Sequence, residues 1–404
     1  MIGDEGGKPV LLVAKGTFGA MGGAERDLIR VLPALGRLFD VRMATIHSAP
    51  ELEGVCAREG IQLIEPKTRW ELATDPVSTI LDTGRGSASK AWGSCEGLGE
   101  AMASADAMHL VSGDGSLPLL DHVPSGLKVH LHLLEPHRGL YEDVLHRAVD
   151  GTPKRSLALT EALLSRARRR DQSLMASMIS RDGSVVSGNS NFSAERANDV
   201  YGIDAGVLWP CVDTTEFPEE SLEDVDNPYV GREQGYVVSV GRASWAKGTW
   251  ETVSMLRGTG LSLAHVGGGD GASLDMLRGH AESCGVGIWV APRLSSRELV
   301  SLMRSSRAIV SMAHSESFGL SPIEAFAVGT PALFVDEGGF RDTVVDGVNG
   351  RLLPREDFSE WHTALKQAAD GTIRRRWVDS GRARLGELDL SPDAHARRLW
   401  EILS

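Results

Sequence analysis

Short apolar runs, each followed by a loop and then a helical pattern, recur along this chain, and that alternation most restricts its fold. Val10-Leu11-Leu12-Val13-Ala14 leads into a glycine-rich stretch and then into Ala24 to Leu35 with helical spacing. A strand, a loop and a helix in that order begin an α/β unit. Further strand candidates are Val41–Thr45, Ile61–Ile64, Ala107–Val111, Lys128–Leu133, Ser184–Ser187 and Gly206–Leu208. Strands alternating with helices predict a mostly parallel sheet covered on both faces.

The pattern then breaks and restarts. Pro210 to Gly235 is polar and acidic, carries Pro210, Pro218 and Pro228, and reads as a linker. Tyr236–Val240 resumes the strands, with a helix around Thr249–Leu256, and Leu261–Val266, Ile288–Val290, Ala308–Ser311 and Pro331–Val335 follow. The expectation is an α/β chain of two Rossmann-like, doubly wound domains facing each other across a cleft. The first spans residues 1–213 and the second 214–387, with 214–235 as the linker. Residues 388–404 form a last helix whose Ala396, Leu399, Trp400 and Leu403 share one face and pack back on the first domain. Ligands of such sheets bind outside the carboxyl ends of the strands.

Composition narrows the partners. The net charge of −13 over 404 residues argues against nucleic acid or any other extended polyanion as partner. No run approaches about 18 apolar residues, so no spanning helix is expected. The polar start, with Asp4 and Glu5, lacks the pattern of a secretory signal. Cys56, Cys95, Cys211 and Cys284 show no metal-ligand spacing and read as thiols of a reducing compartment, hence a cytoplasmic location. Oligomeric state leaves no signature.

The segment with most chemistry is His314-Ser-Glu316-Ser-Phe318-Gly319-Leu320-Ser-Pro322-Ile-Glu324. Two glutamates lie eight positions apart, with a glycine turn and a proline between them. Pro322 is suited to a helix start, which puts Glu324 in the first turn and Glu316 in the preceding loop. The amides of Phe318, Gly319 and Leu320 would then point outward, suited to phosphate or hydroxyl oxygens. Carboxylates accept from vicinal hydroxyls.

This segment resembles the E-x7-E motif of the GT-B glycosyltransferases, specifically the large retaining family GT4, the glycosyl transferases group 1. Val240-Gly241-Arg242 with Lys247-Gly248 is similar to that family's VGR…KG loop, and Val266-Gly267-Gly268-Gly269-Asp270 to its second glycine loop. Gly338-Gly339 and Asp346-Gly347-Val348-Asn349-Gly350 resemble its GG…DGxxG tail. The loop from Gly16 through Gly22-Gly23-Ala24-Glu25 resembles its GG[AG]E loop. Asn189-Ser190-Asn191-Phe192 and Pro210-Cys211-Val212-Asp213 resemble the segments that close the first domain. The likeness runs from about Gly16 to Leu353. Ser317 departs from a usual glycine, and Met312-Ala313 from a usual Pro-Ser pair.

The resemblance implies a retaining transfer of a hexose from a nucleotide-diphosphate sugar to a hydroxyl of a glycan, lipid-linked or small-molecule acceptor. Arg242 and Lys247 would hold the donor diphosphate, with Gly22, Gly23, Phe318, Gly319 and Leu320 supplying backbone contacts. Glu324 would bind the ribose, Glu316 would act beside the donor sugar, and Pro292 and Arg293 would lie near the base. It also implies no metal and no cofactor beyond the sugar nucleotide. A family histidine follows an early strand; His132 and His109 are the candidates, beside the plainer reading of satisfied core groups. The stretch His132 to Tyr141 loosely resembles mannosyltransferase members. Arg166 to Arg170 offers a peripheral contact to anionic headgroups, beside the plainer reading of a solvated helix face. The alternatives are a catalytically silent sugar-nucleotide-binding protein and a GT-B sugar-nucleotide epimerase.

Overall fold

The computed structural model describes residues 7–19, 21–72, 83–213, 217, 226–231 and 235–404. The acidic start with Asp4 and Glu5, Ala20, and most of the expected Thr214–Gly235 linker lie outside the described residues. The chain divides into two compact units. The first is Met1–Tyr141, Ala158–Asp213 and Leu390–Ser404; the second is Glu142–Leu157 and Thr214–Asp389.

The first unit is built on a seven-stranded sheet in the order β3-β2-β1-β4-β5-β6-β7. Its strands are β1 Val10–Ala14, β2 Asp40–Ala44, β3 Gln62–Ile64, β4 Ala107–Val111, β5 Lys128–Leu133, β6 Val185–Gly188 and β7 Gly206–Val207. All pairs are parallel, β1 running beside β2 from Val10↔Asp40 to Ala14↔Ala44. Parallel strands buried on both faces need continuous apolar runs, and β1 supplies one to each side. Leu12 and Ala14 join one core with Met108, Leu110, Val129 and Leu131. Leu11 and Val13 join the other with Leu28, Val31, Leu32 and Leu35 of helix Gly23–Leu38. Each buried Leu, Val or Met among them contributes about 1.5–3 kcal/mol.

The last helix, Pro392–Leu403, adds Ala396, Leu399 and Leu403 to that second core. Ser391 caps it by accepting from the Ala394 amide, and Pro392 costs nothing at its first position. Trp400 lies 5.0 Å from the Phe39 ring.

The second unit has a six-stranded parallel sheet in the order β10-β9-β8-β11-β12-β13. These are β8 Tyr236–Val240, β9 Ser262–Val266, β10 Ile288–Val290, β11 Ile309–Ser311, β12 Ala332–Val335 and β13 Arg351–Leu353. Only β13 had no counterpart among the sequence candidates. It is an edge strand of three residues whose Arg351 leaves only Leu352 and Leu353 as an apolar run, whereas the equally short β10 is apolar throughout.

Glu142–Leu157 stands with the second unit although the sequence order puts it in the first domain. Gly151 explains the attachment. Its φ is +83°, and a Cβ there would come within 2.7 Å of the Trp245 ring. Among the described residues, no helix is long and apolar enough to cross a membrane.

Candidate functional site

In the second unit four strand ends are knitted together through glycines. After β8 the chain passes Gly241 and Arg242, turns through Trp245–Lys247, and enters helix Thr249–Met255 at Gly248. Gly248 has φ +62°, and a Cβ there would lie 1.9 Å from the Met312 carbonyl oxygen. Only glycine lets the turn that carries Lys247 touch the end of β11. Similarly, a Cβ on Gly338 would lie 2.5 Å from the Glu316 carbonyl oxygen, and one on Gly339 2.4 Å from that of Ser317. The Gly339 amide donates to the Glu316 carbonyl at 2.7 Å.

This packing brings two of the expected residues together. Lys247 Nζ lies 2.6 Å from Glu316 Oε2, across 69 positions of sequence. Arg242 is exposed in the same loop, just past β8. Pro292 and Arg293 are exposed beyond β10, where the Ala291 amide donates to the His265 carbonyl of β9. Phe318 is buried, and Gly319 and Leu320 open helix Leu320–Val328.

The helix start differs from the expectation. Gly319, at φ +79°, is the cap, so the helix begins at Leu320 instead of Pro322. Glu324 therefore falls at the fifth helical position, in the second turn, where it is half-buried.

The first unit has its own loop cluster at the ends of β1 and β4. A Cβ on Gly16 would lie 2.1 Å from the Asp114 carbonyl oxygen, so the two loops meet backbone to backbone. Beneath them lies Lys15, only 2% exposed, whose Nζ pairs with Glu25 Oε1 at 3.0 Å and donates to the Ser112 carbonyl at 3.4 Å. Glu25 Oε2 accepts the Gly22 amide at 2.9 Å, and Gly23 starts the helix. Lys15 lies outside every motif of the sequence. Its signal was a charged residue set directly between an apolar strand and a glycine loop.

His109 and His132 lie in the interior, 0% and 1% exposed. His109 on β4 faces His130 on β5, with their Nδ1 atoms 2.9 Å apart and rings stacked at 5.0 Å. One of the two must donate and the other accept. His132 Nε2 meets the Leu208 carbonyl at 3.1 Å, and the ring stands 6.0 Å from His395 of the last helix. Burial holds all four below the ordinary histidine range, and the neighbouring histidines add to this for His109, His130 and His132. For His130 the value falls to about 3. These are neutral rings. Among the described residues, no group of three or more His, Cys, Asp or Glu could hold a metal ion.

A second cluster gathers residues that no single motif contains. Arg355, Glu251, Glu337 and His314 form a hydrogen-bonded group behind the Glu316 loop. Their positions span 104 residues, and no spacing rule links them.

Residues 226–384, which carry the Lys247–Glu316 pair, match the family model described as glycosyl transferases group 1. That match covers 159 of the 404 residues. A D-inositol 3-phosphate glycosyltransferase of Rhodococcus erythropolis is 29% identical over 231 residues, 53% of this chain and 50% of the relative. The chain thus spans half the length of that relative. Among solved structures, sucrose-phosphate synthase from Thermosynechococcus elongatus superposes with a TM-score of 0.70 at 17% identity, covering 98% of each chain. Anabaena HepE in complex with UDP and glucose gives 0.66 at 14%, covering 98% of this chain and 99% of that one. At these identities the likeness is one of fold: two Rossmann-like units on parallel sheets, the GT-B type.

Proposed function

We propose that this chain is a retaining glycosyltransferase that moves a hexose from a nucleoside-diphosphate sugar to an acceptor hydroxyl. The observation that carries the reading is the Lys247–Glu316 pair, set in the glycine-knit loops of the family-matched segment. The donor is taken by the second unit and the acceptor by the first.

A sugar nucleotide departs as a nucleoside diphosphate bearing new negative charge. Arg242 and Lys247 are cations in one loop, and fixed cations stabilise that charge more in the transition state than in the ground state. Arg242 can engage two oxygens, whereas Lys247 acts as a point charge. With 38% of its side chain exposed, Lys247 can exchange part of its contact with Glu316 for phosphate. Glu316 then accepts from a hydroxyl of the donor sugar, and Glu324 from the ribose. The substitution proceeds on the front face, with the leaving diphosphate taking the acceptor proton. The proposal gives neither His109 nor His132 contact with substrate, since both rings are enclosed. The co-substrate needs no metal in this scheme.

For the acceptor, the name of the Rhodococcus relative makes an inositol phosphate the first to try. For the donor, the UDP and glucose of the HepE complex put UDP-glucose first, with GDP-mannose beside it. A peripheral membrane contact, on the cytoplasmic face, would rest on Arg166 and Arg169, which are exposed on helix Leu157–Ile179. Arg168 is engaged by Glu161 and the Leu140 carbonyl.

The test is a thermal-shift panel of UDP-, GDP-, ADP- and dTDP-sugars without added metal, since a ligand that binds only the native state raises its midpoint. One selective shift, followed by NMR of a product with retained anomeric configuration, is the expected result. A folded protein shifted by none of them would sink the proposal.

A further inference from the structure

We infer that Arg355 is a positioning residue for the donor site; the inference rests on the transferase reading above. Arg355 follows β13 and is 13% exposed. Its guanidinium spends every nitrogen on fixing neighbouring loops. Nε and Nη2 form a two-pronged pair with the carboxylate of Glu337, both at 2.8 Å. Nη1 donates to Glu251 Oε1 and to the Met312 carbonyl, each at 2.8 Å, and Nη2 to the Ala313 carbonyl at 3.2 Å. Burial by itself would weaken the charge of Arg355, but the Glu337 hydrogen bonds and the Glu251 charge outweigh it. Burial also pushes the Glu337 carboxyl up, and Arg355 more than offsets that and holds it below the usual range.

The two carbonyls are those of the residues that lead into His314, Ser315 and Glu316. Ser315 sits at φ +47°, a backbone shape that serine adopts only when its surroundings impose it. Clamping Met312 and Ala313 just upstream supplies that constraint, and so sets the direction of the Glu316 carboxylate. The other side of the cluster reaches Lys247. Glu251 Oε2 meets His314 Nε2 at 2.9 Å, and the His314 ring stacks on Trp245 at 4.9 Å. The His314 amide donates to the Ala246 carbonyl at 2.9 Å. Trp245 and Ala246 belong to the same turn as Lys247. One guanidinium thus holds both partners of the ion pair in place without touching either. Lysine could not do this, because a single ammonium lacks the planar fork that serves Glu337 and two carbonyls at once.

The experiment compares native protein, Arg355→Lys, Arg355→Met and Glu324→Ala by calorimetric titration with UDP and with GDP, and by steady-state kinetics with each matching sugar nucleotide. Arg355→Lys keeps the charge between Glu251 and Glu337, so it decides the question if Arg355→Met fails to fold. The expected result for Arg355→Lys is a donor KM raised 10-fold or more, an acceptor KM within 2-fold of native, and a thermal midpoint close to native. A role confined to stability would lower the midpoint and leave the donor KM unchanged. Donor affinity within 2-fold of native in Arg355→Lys, with clear loss in Glu324→Ala, would overturn the positioning role and spare the donor site. Unchanged affinity in Glu324→Ala as well, or a native chain that binds neither nucleotide, would overturn the donor site and the inference with it.

Discussion

Each unit holds a lysine–glutamate pair beyond the first strand of its sheet, and the two pairs are built for different ends. In the first unit Lys15 and Glu25 are 2% and 14% exposed, 3.0 Å apart, under a glycine loop. In the second, Lys247 and Glu316 are 38% and 21% exposed, 2.6 Å apart. A buried lysine cannot give up its carboxylate without leaving a charge stranded in a poor solvent. A half-open pair can trade its partner for a phosphate oxygen at little cost, because water screens the exchange. The first pair therefore reads as fixed structure and the second as a site held ready.

Breaking the pairs separately is the strongest way to test that difference. Lys15→Met should cost about 3–5 kcal/mol of unfolding free energy, the loss that follows when one partner of a buried pair is removed. Adding Glu25→Leu should recover much of it. Urea denaturation measures both, and a single variant of native stability would end the comparison. Lys247→Met should lose about 10²–10³-fold in kcat/KM, as when one donor to a developing charge is removed. Its stability should stay within about 1 kcal/mol of native. Equal destabilisation by the two methionine variants would erase the distinction.

Glu324→Ala extends the test along the second site. Nucleoside diphosphate binding should weaken by about 1.5–3 kcal/mol, the range for hydrogen bonds to a charged group, as read by calorimetry. The smallest effect per group concerns the interior of the first unit. His109, His130, His132 and His395 are held neutral by burial. The unfolded chain takes up protons at these rings below about pH 6.5 and the folded chain resists. Their contribution is thus fully present above that pH and lost as pH falls, on the order of 1 kcal/mol per pH unit for each ring. Arg30, Arg398 and Lys15 add positive charge around this group, and Asp27 negative charge. Burial raises the Asp27 carboxyl, which opposes the trend as one group against four. Urea midpoints at pH 7.5, 6.5 and 5.5 should fall in that order, and His395→Asn should flatten the series. A flat native profile would show that the rings are not buried neutral.

Most of the fold was legible because sheets covered on both faces demand unbroken apolar runs. β1, β4, β5, β8 and β10 start and end where the sequence candidates do, although His109, His130 and His132 interrupt the apolar residues of β4 and β5 and Ser239 those of β8. β13 was hidden by its arginine, which leaves only two apolar residues in a row. At the site, the glycines and the two glutamates announced a loop that approaches something closely. They did not announce that helix Leu320–Val328 begins at the left-handed Gly319, where a Cβ would lie 2.5 Å from the Phe340 ring 21 residues further on. Lys15 and Arg355 carried no motif. Their roles come from what the chain places around them.

What the sequence by itself determined is the order of strands and helices and the residue types at the strand ends, since both follow from local pattern and from glycine's freedom. What only the tertiary structure decided is which charges meet, and in what surroundings. Lys247 finds Glu316 across 69 positions. Histidines that read as candidates for chemistry prove to be enclosed between β4, β5 and the last helix. Burial and pairing depend on every element packed nearby, so no local stretch of sequence contains them.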